Sequence, residues 1–398
     1  MTVSVHRYKS IRLCIVNTLY VKEMKIFHGV VLEEALKFSK YLEQVHVILF
    51  HKYRRSLRFR KNVFIHTIPA SSYSNLLSAI LYTFVSYLFI IILLIKLRLH
   101  YKINIVRADD IIRTGFPTTI ACLLLRIPKV IYVAGYEEEV LKYRYSTNRA
   151  VLKILRFLER FVMLFSDHVF AVTSQLVSRA RIFGAKSVSW TPSLFFPEKF
   201  TPKNQLTMYP KLRVLYAGRL ERGKGVEVLI KAAKLLREED IEFRIIGDGS
   251  LRKSLEWMVK KLGLNSIVKF LGLIPHSKMP EIYNDADVFV LPSFTEGAPV
   301  AVLEAISCGK PVIVTPVGII PEVFKNGIDA LIIPPGDHLA LANAIRILKD
   351  PMIRERLAKN ARAHVLKVFN SYIQQHIEAY SRIVAIQDEA KSLAKKTN

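Results

Sequence analysis

Residues 286–321 read ADVFVLPSFTEGAPVAVLEAISCGKPVIVTPVGIIP. The apolar run Val288 to Leu291 is stopped by Pro292, and Thr295-Glu296-Gly297-Ala298-Pro299 carries turn formers, so a buried strand should end here in a loop. From Val300 to Ser307 the apolar spacing becomes helical, with Pro299 where a helix start tolerates proline and Gly309 where helices commonly stop. Lys310 to Thr315 then supplies a second apolar run. A strand, loop, helix, strand unit presents its loop and helix N-terminus at the carboxyl edge of a parallel sheet, where unpaired N–H groups and the helix dipole attract anions such as phosphate.

Two carboxylates make the place specific: Glu296 in the loop and Glu304 in the helix, with seven residues between them. A carboxylate accepts hydrogen bonds in pairs and can hold two neighbouring hydroxyls of a sugar or ribose ring. Taken singly, each also reads as an ordinary charge, Glu304 on a solvated helix face and Glu296 in a loop.

Glu296-Gly297-Ala298-Pro299, Leu303-Glu304-Ala305 and Gly309-Lys310-Pro311-Val312-Ile313 together resemble the signature of the retaining GT-B glycosyltransferases of family 4. The resemblance runs from Leu212 to about Asp350. It implies two Rossmann-like domains facing across a cleft, with a C-terminal helix crossing back to the first. It further implies that Glu296 faces the donor sugar, that Glu304 binds the nucleotide ribose, and that Gly297, Ala298, Pro299 and Val300 line the donor site.

Leu212 to Ala217 reads as a strand delivering Gly218-Arg219-Leu220-Glu221-Arg222-Gly223-Lys224-Gly225, with a helix after it. The loop nearly spells a nucleoside triphosphatase phosphate loop, but Gly225 stands where a magnesium-binding hydroxyl is needed, which excludes that reading. The resemblance assigns Arg219 and Lys224 to the donor diphosphate beside Gly218. Arginine grips phosphate oxygens in pairs and lysine acts as a compact charge. With those cations a metal is not required, and no metal or other cofactor is expected. Lys269 to Ile274 matches the segment where relatives hold the base through backbone groups, which brings Ile274 into the site. Gly247-Asp248-Gly249 lacks the dinucleotide fingerprint and counts against a dehydrogenase.

In the first half, Ile11 to Val16, Val45 to Phe50, Ile103 to Val106, Pro128 to Val133 and Asp167 to Thr173 read as strands, and Val30 to Leu42 as a helix. Six residues of apolar core at Ile11 to Val16 are too few for a signal peptide. Gly29 takes the place of the relatives' glycine-rich loop near the donor phosphate. Many relatives carry a histidine before the glycine matched by Gly135, where this chain has Ala134. Glu137 to Glu139, just beyond, read as acceptor-facing or solvent-exposed acids.

His51 to Lys61 holds six basic residues among Tyr53, Leu57 and Phe59 and reads as a solvated loop or a head-group contact. Leu76 to Ile95 has no charge over 20 positions, long enough to span a bilayer. It reads as a spanning helix, one lying in the interface or one buried in the first domain, and the strand that follows closely favours a helix of that domain with its outer face on lipid over a spanning one. Arg149 to Phe165 is a second amphipathic helix.

The 398 residues, 51% of them hydrophobic, supply two cores. The divisions expected are 1–205, an acceptor-binding domain with a membrane-associating surface; 206–366, the nucleotide-sugar domain; and 367–398, the returning helix. A net charge of +26 implies anionic partners. A mean hydropathy of +0.24 fits a membrane surface better than nucleic acid, for which no recognition motif is present. Cys14, Cys122 and Cys308 stand singly, as in a reducing cytosol.

The expected function is retaining transfer of a hexose from a UDP- or GDP-hexose to a lipid-linked acceptor, by a cytoplasmic protein held peripherally on an anionic membrane. A soluble acceptor, or a silent membrane scaffold of the same fold, are the alternatives.

Overall fold

In the computed structural model, residues 8, 10–21, 30–69, 76–135, 149–192, 195, 197–203, 210–369 and 371–396 are described. Gly29 and Glu137 to Glu139 lie outside them. The chain divides into two compact units, residues 1–191 with 372–398, and residues 192–371.

The apolar runs of the first half pair side by side as β1 (Arg12–Val21), β2 (Gln44–His51), β3 (Arg55–Arg60), β4 (Val63–Pro69), β5 (Ile105–Ala108), β6 (Lys129–Val133), β7 (His168–Ala171) and β8 (Val188–Trp190). Their order is β3-β4-β2-β1-β5-β6-β7-β8, parallel throughout except for the antiparallel β3–β4 pair. Residues 55–60, expected as a solvated loop, are therefore an edge strand. All six are exposed, and a row of arginines blunts an edge against pairing with another chain.

The helices are α1 (Val30–Phe38), α2 (Leu76–Tyr101), α3 (Phe116–Leu125), α4 (Arg149–Phe165) and α5 (Ser174–Ile182). A helix of 26 residues carries α2 beyond the uncharged stretch into its basic end. Ile90, Leu93, Leu94 and Leu97 join the core formed by Cys14, Val16, Ile48, Val106 and Ala121. Phe84, Leu88, Ile92 and Leu99 on the other side are exposed. A fully buried α2 is thereby excluded.

The second half forms β9 (Leu212–Ala217), β10 (Ile241–Ile246), β11 (Val268–Gly272), β12 (Val288–Leu291), β13 (Val312–Val314) and β14 (Leu331–Ile332). They make a parallel sheet in the order β11-β10-β9-β12-β13-β14. Its helices are α6 (Val226–Leu235), α7 (Arg252–Lys261), α8 (Met279–Asn284), α9 (Val300–Ser307), α10 (Ile320–Val323), α11 (His338–Ile347) and α12 (Pro351–Phe369). The order of strands reverses between β9 and β12, and in such sheets ligands bind outside the carboxyl ends of the strands at that reversal.

The last helix, α13 (Tyr372–Lys396), belongs to the first unit. The Tyr372 hydroxyl donates to Glu34 Oε1 of α1 at 2.6 Å, and His376 stacks on Phe170 of β7 with ring centres 3.8 Å apart. Arg107, fully buried at the end of β5, donates to Glu34 Oε2 at 2.7 Å and to Asp109 Oδ1 at 2.6 Å. Three elements distant in sequence are thus tied through one guanidinium.

Two expected boundaries move. The division at 205/206 falls at Thr191–Pro192, and that at 366/367 falls at Ser371–Tyr372. Phe195, Phe200 and Lys203 pack within the second unit: the Phe195 ring meets Phe369, Phe200 meets Tyr283, and the Lys203 N–H donates to Asn284 Oδ1 at 2.8 Å.

Candidate functional site

Two loops leave the second sheet on either side of its reversal: residues 218–225 after β9 and residues 292–299 after β12. The Phe294 N–H donates to the Gly223 carbonyl at 2.8 Å and locks one loop on the other. Gly225 makes the close approach possible, with φ +69° and a position where a Cβ would stand 1.9 Å from the Pro292 carbonyl oxygen.

Gly218, Arg219, Lys224, Glu296, Gly297, Ala298 and Pro299 fall on these loops. Lys224 Nζ donates to Glu296 Oε1 at 2.7 Å, and Ser293 Oγ donates to the same oxygen at 2.8 Å. Lys224 and Glu296 therefore form an ion pair, mostly shielded from solvent, where sequence reasoning gave them separate duties. Arg219 is 58% exposed at its side chain, with Nη1 3.0 Å from Glu221 Oε2. Its backbone is fixed from below, because the buried Tyr216 hydroxyl donates to the Arg219 carbonyl at 3.0 Å. Burial, with Glu296 and Glu221 close by, pushes that phenol's pKa up and keeps it a donor. Tyr216 also fills the space beside Gly218, where a Cβ would meet its hydroxyl at 2.8 Å.

Gly297 and Ala298 lead into Pro299, the extended N-cap of α9, and Val300 is the first helical residue. The Ile319 N–H donates to the Gly297 carbonyl at 2.9 Å and holds the approach to the helix from the far side. The eight-residue helix directs its first N–H groups toward the same end of the sheet as the two loops.

Glu304 lies one turn inside α9 and is only 5% exposed, so it is not a solvated helix residue. His276 Nε2 lies 2.6 Å from its Oε1, and the Tyr283 hydroxyl donates to its Oε2 at 2.8 Å. Burial and the neighbouring carboxylate hold the Tyr283 pKa well above its ordinary value. Ile274, half-buried, follows β11 two residues before His276, which places that turn beside Glu304. Gly29 lies outside the described residues, and Ala134 and Gly135 follow β6 in the first unit, both exposed.

Sequence reasoning missed Tyr216, His276, Tyr283 and Ser293. His276 and Tyr283 act on Glu304, distant in sequence, and Tyr216 acts through a backbone carbonyl. Ser293, three residues from Glu296, is a side-chain partner close enough to leave a local trace.

Chemically, the two loops set a shielded lysine, an exposed arginine and a helix N-terminus at one end of a parallel sheet, with two carboxylates among them. Cations and N–H donors suit a phosphate group, and carboxylates suit hydroxyls.

Comparison with known proteins bears on this arrangement. Residues 199–364 match the family model described as glycosyl transferases group 1. The chain is 32% identical over 198 residues to the amylovoran biosynthesis glycosyltransferase AmsK of Erwinia amylovora, covering 48% of this chain and 49% of that protein. It is 35% identical over 151 residues to the alpha-D-kanosaminyltransferase of Streptomyces kanamyceticus, covering 37% and 39% respectively. In these alignments the chain spans about half or less of the length of the curated relatives it matches.

Among solved structures, the sucrose-phosphate synthase of Thermosynechococcus elongatus superposes with a TM-score of 0.75 at 21% identity, over 94% of this chain and 100% of that one. Anabaena Alr3699/HepE, solved in complex with UDP, gives a TM-score of 0.72 at 18% identity with the same coverage. Such identities establish the fold. Residues 199–364 thus resemble the glycosyl transferases group 1 family, and the two α/β units have the GT-B fold.

Proposed function

We propose that the chain is a retaining glycosyltransferase that moves a hexose from a nucleotide sugar, a UDP- or GDP-hexose, to a lipid-linked acceptor such as a polyprenyl phosphate glycan or a glycolipid. The observation that carries this reading is the Lys224–Glu296 pair at the strand reversal of the second sheet, beside Arg219 and the start of α9.

In this reading Arg219, Lys224 and the α9 N-terminus receive the charge that develops on the departing nucleoside diphosphate. Donors already in place act there without reorganising, which makes such stabilisation the larger part of catalysis. Lysine has three donors, so the bond to Glu296 still allows Lys224 to reach phosphate oxygens. Glu296, held by Lys224 and Ser293, orients hydroxyls of the sugar, and Glu304 accepts from the ribose. The acceptor hydroxyl attacks from the face the diphosphate leaves, its proton passing to a phosphate oxygen. The C1–phosphate bond breaks as the new glycosidic bond forms, and the configuration at C1 is retained.

The outer faces of α2 and α4 support a lipid-bound acceptor. Phe84, Leu88 and Ile92 of α2 and Val151, Ile154 and Phe157 of α4 are exposed. The helices are bridged by aromatic contacts, Tyr87 with Phe116 of α3 and Phe116 with Phe161, at 5.7 and 5.6 Å. Arg149, Lys153, Arg156 and Arg160 recur at helical spacing along α4. Removing one such apolar side chain from water stabilises by roughly 1.5–3 kcal/mol, and one basic residue at an anionic surface adds about 1 kcal/mol. Those magnitudes support reversible peripheral association, and the proposal places it at a cytoplasmic membrane face.

The activity test is release of nucleoside diphosphate from a panel of UDP, GDP, ADP and dTDP sugars, with and without lipid extract. Turnover of one donor, enhanced by lipid, supports the proposal. No turnover with any donor leaves a silent scaffold, and turnover indifferent to lipid leaves a soluble acceptor.

A further inference from the structure

Glu304 sits inside α9, where an ionised carboxylate is stable only if its oxygens are hydrogen-bonded. Both oxygens are served from one short segment between β11 and β12. Tyr283 on α8 reaches Oε2, and His276, in the turn that opens into α8, reaches Oε1. The two contacts differ in kind. The Tyr283 phenol is 1% exposed and packed edge-on against Phe289 at 5.6 Å and Phe200 at 6.0 Å, so its hydroxyl has one place to go. The His276 side chain is 46% exposed, with Phe200 at 5.6 Å on one side.

We propose that Tyr283 and His276 are positioning residues that clamp Glu304 from two sides and so set it to recognise a nucleotide ribose. The inference rests on the reading of Glu304 given above. A carboxylate oxygen has two acceptor positions, so each bond from the clamp occupies one and leaves the other at a fixed angle. Tyr283 fixes the inner oxygen through the core. His276 fixes the outer one from the turn that also carries Ile274, so that one segment sets both the ribose acceptor and the backbone beside the base. Without His276 the carboxylate turns about its bond to Tyr283 and offers its free positions over a wider range. The loss therefore falls on hydroxyl recognition and not on the diphosphate.

The test is calorimetric binding of UDP, GDP and ADP and of their 2′-deoxy forms to the full chain, for the wild type, His276→Ala, His276→Gln and Tyr283→Phe. The wild type should prefer a ribonucleotide to its deoxy form. His276→Ala and Tyr283→Phe should each shrink that preference by about tenfold, the equivalent of one ordinary hydrogen bond, while deoxy binding changes little. His276→Gln restores a side-chain N–H and should recover most of the preference.

The clamp is overturned if the preference survives in His276→Ala, or if ribo and deoxy forms weaken equally. It is overturned together with the donor reading if the wild type binds no nucleoside diphosphate, a result distinguishable from the other two. The side chain of His276 is half in solvent, so its variants decide the matter even if Tyr283→Phe fails to fold.

Discussion

Glu296 accepts from both Lys224 and Ser293, so its removal should separate chemistry from folding. Glu296→Gln keeps the shape and an acceptor oxygen but loses the charge that holds Lys224. Turnover should fall by more than about a hundredfold, the scale seen when one preorganised electrostatic partner is removed. Far-UV circular dichroism and melting temperature should stay near wild type, and a variant with full activity would refute the assignment. Arg107 is the opposite case, a residue of the fold. Replacing it with alanine leaves Glu34 buried without its cation, at a cost of about 3–5 kcal/mol, measurable by urea denaturation. A loss under 1 kcal/mol would show that Glu34 is satisfied without it. The difference in how legible these residues were is physical. Glu296 and Glu304 lie in one contiguous unit whose proline and glycine punctuation displays it, whereas the Arg107–Glu34 pair joins positions 73 apart and neither flank marks it.

Among the elements, those with a clear period were legible, and those whose role depends on a distant surface were not. The strand, loop, helix, strand unit from Val288 to Val314 lies where its apolar spacing places it. β3 was hidden because Arg55, Arg58 and Arg60 mask a strand, the property that protects an edge. The unit boundary differs because Phe195, Phe200 and Pro202 read as the end of the first domain until their partners Phe369, Tyr283 and Gly309 are known. For α2 and α4, the exposed faces lead to a prediction at the same scale. A Leu88→Asp, Phe157→Asp double variant should lose most of its co-sedimentation with vesicles containing anionic lipid. Wild-type binding should weaken as salt rises, because the basic share is screened. Retention of the double variant on vesicles, or wild-type protein that survives alkaline carbonate extraction in the pellet, would contradict peripheral docking by these faces.

At the scale of the molecule, acid should act mainly through the first unit. Burial lowers the pKa of His46 to about 3 and those of His66 and His168 to about 4, against an ordinary 6.5. The unfolded chain therefore binds protons more readily than the folded one. The stability these groups contribute is present above pH 6.5 and is lost as pH falls toward 4 and 3. The melting temperature should drop steadily between pH 6.5 and 4, and a flat profile would mean the three imidazoles are not held neutral in the fold. The α13 helix belongs to the same unit, so a chain ending at Ser371 should lose the first unit's cooperative transition, as differential scanning calorimetry would show.

One measurement reaches the centre of this account: a crystal structure with the nucleoside diphosphate that the panel identifies. The diphosphate should lie between Arg219, Lys224 and the N-terminus of α9, with the ribose hydroxyls on Glu304. A nucleotide bound elsewhere on the chain, with these side chains untouched, would contradict it.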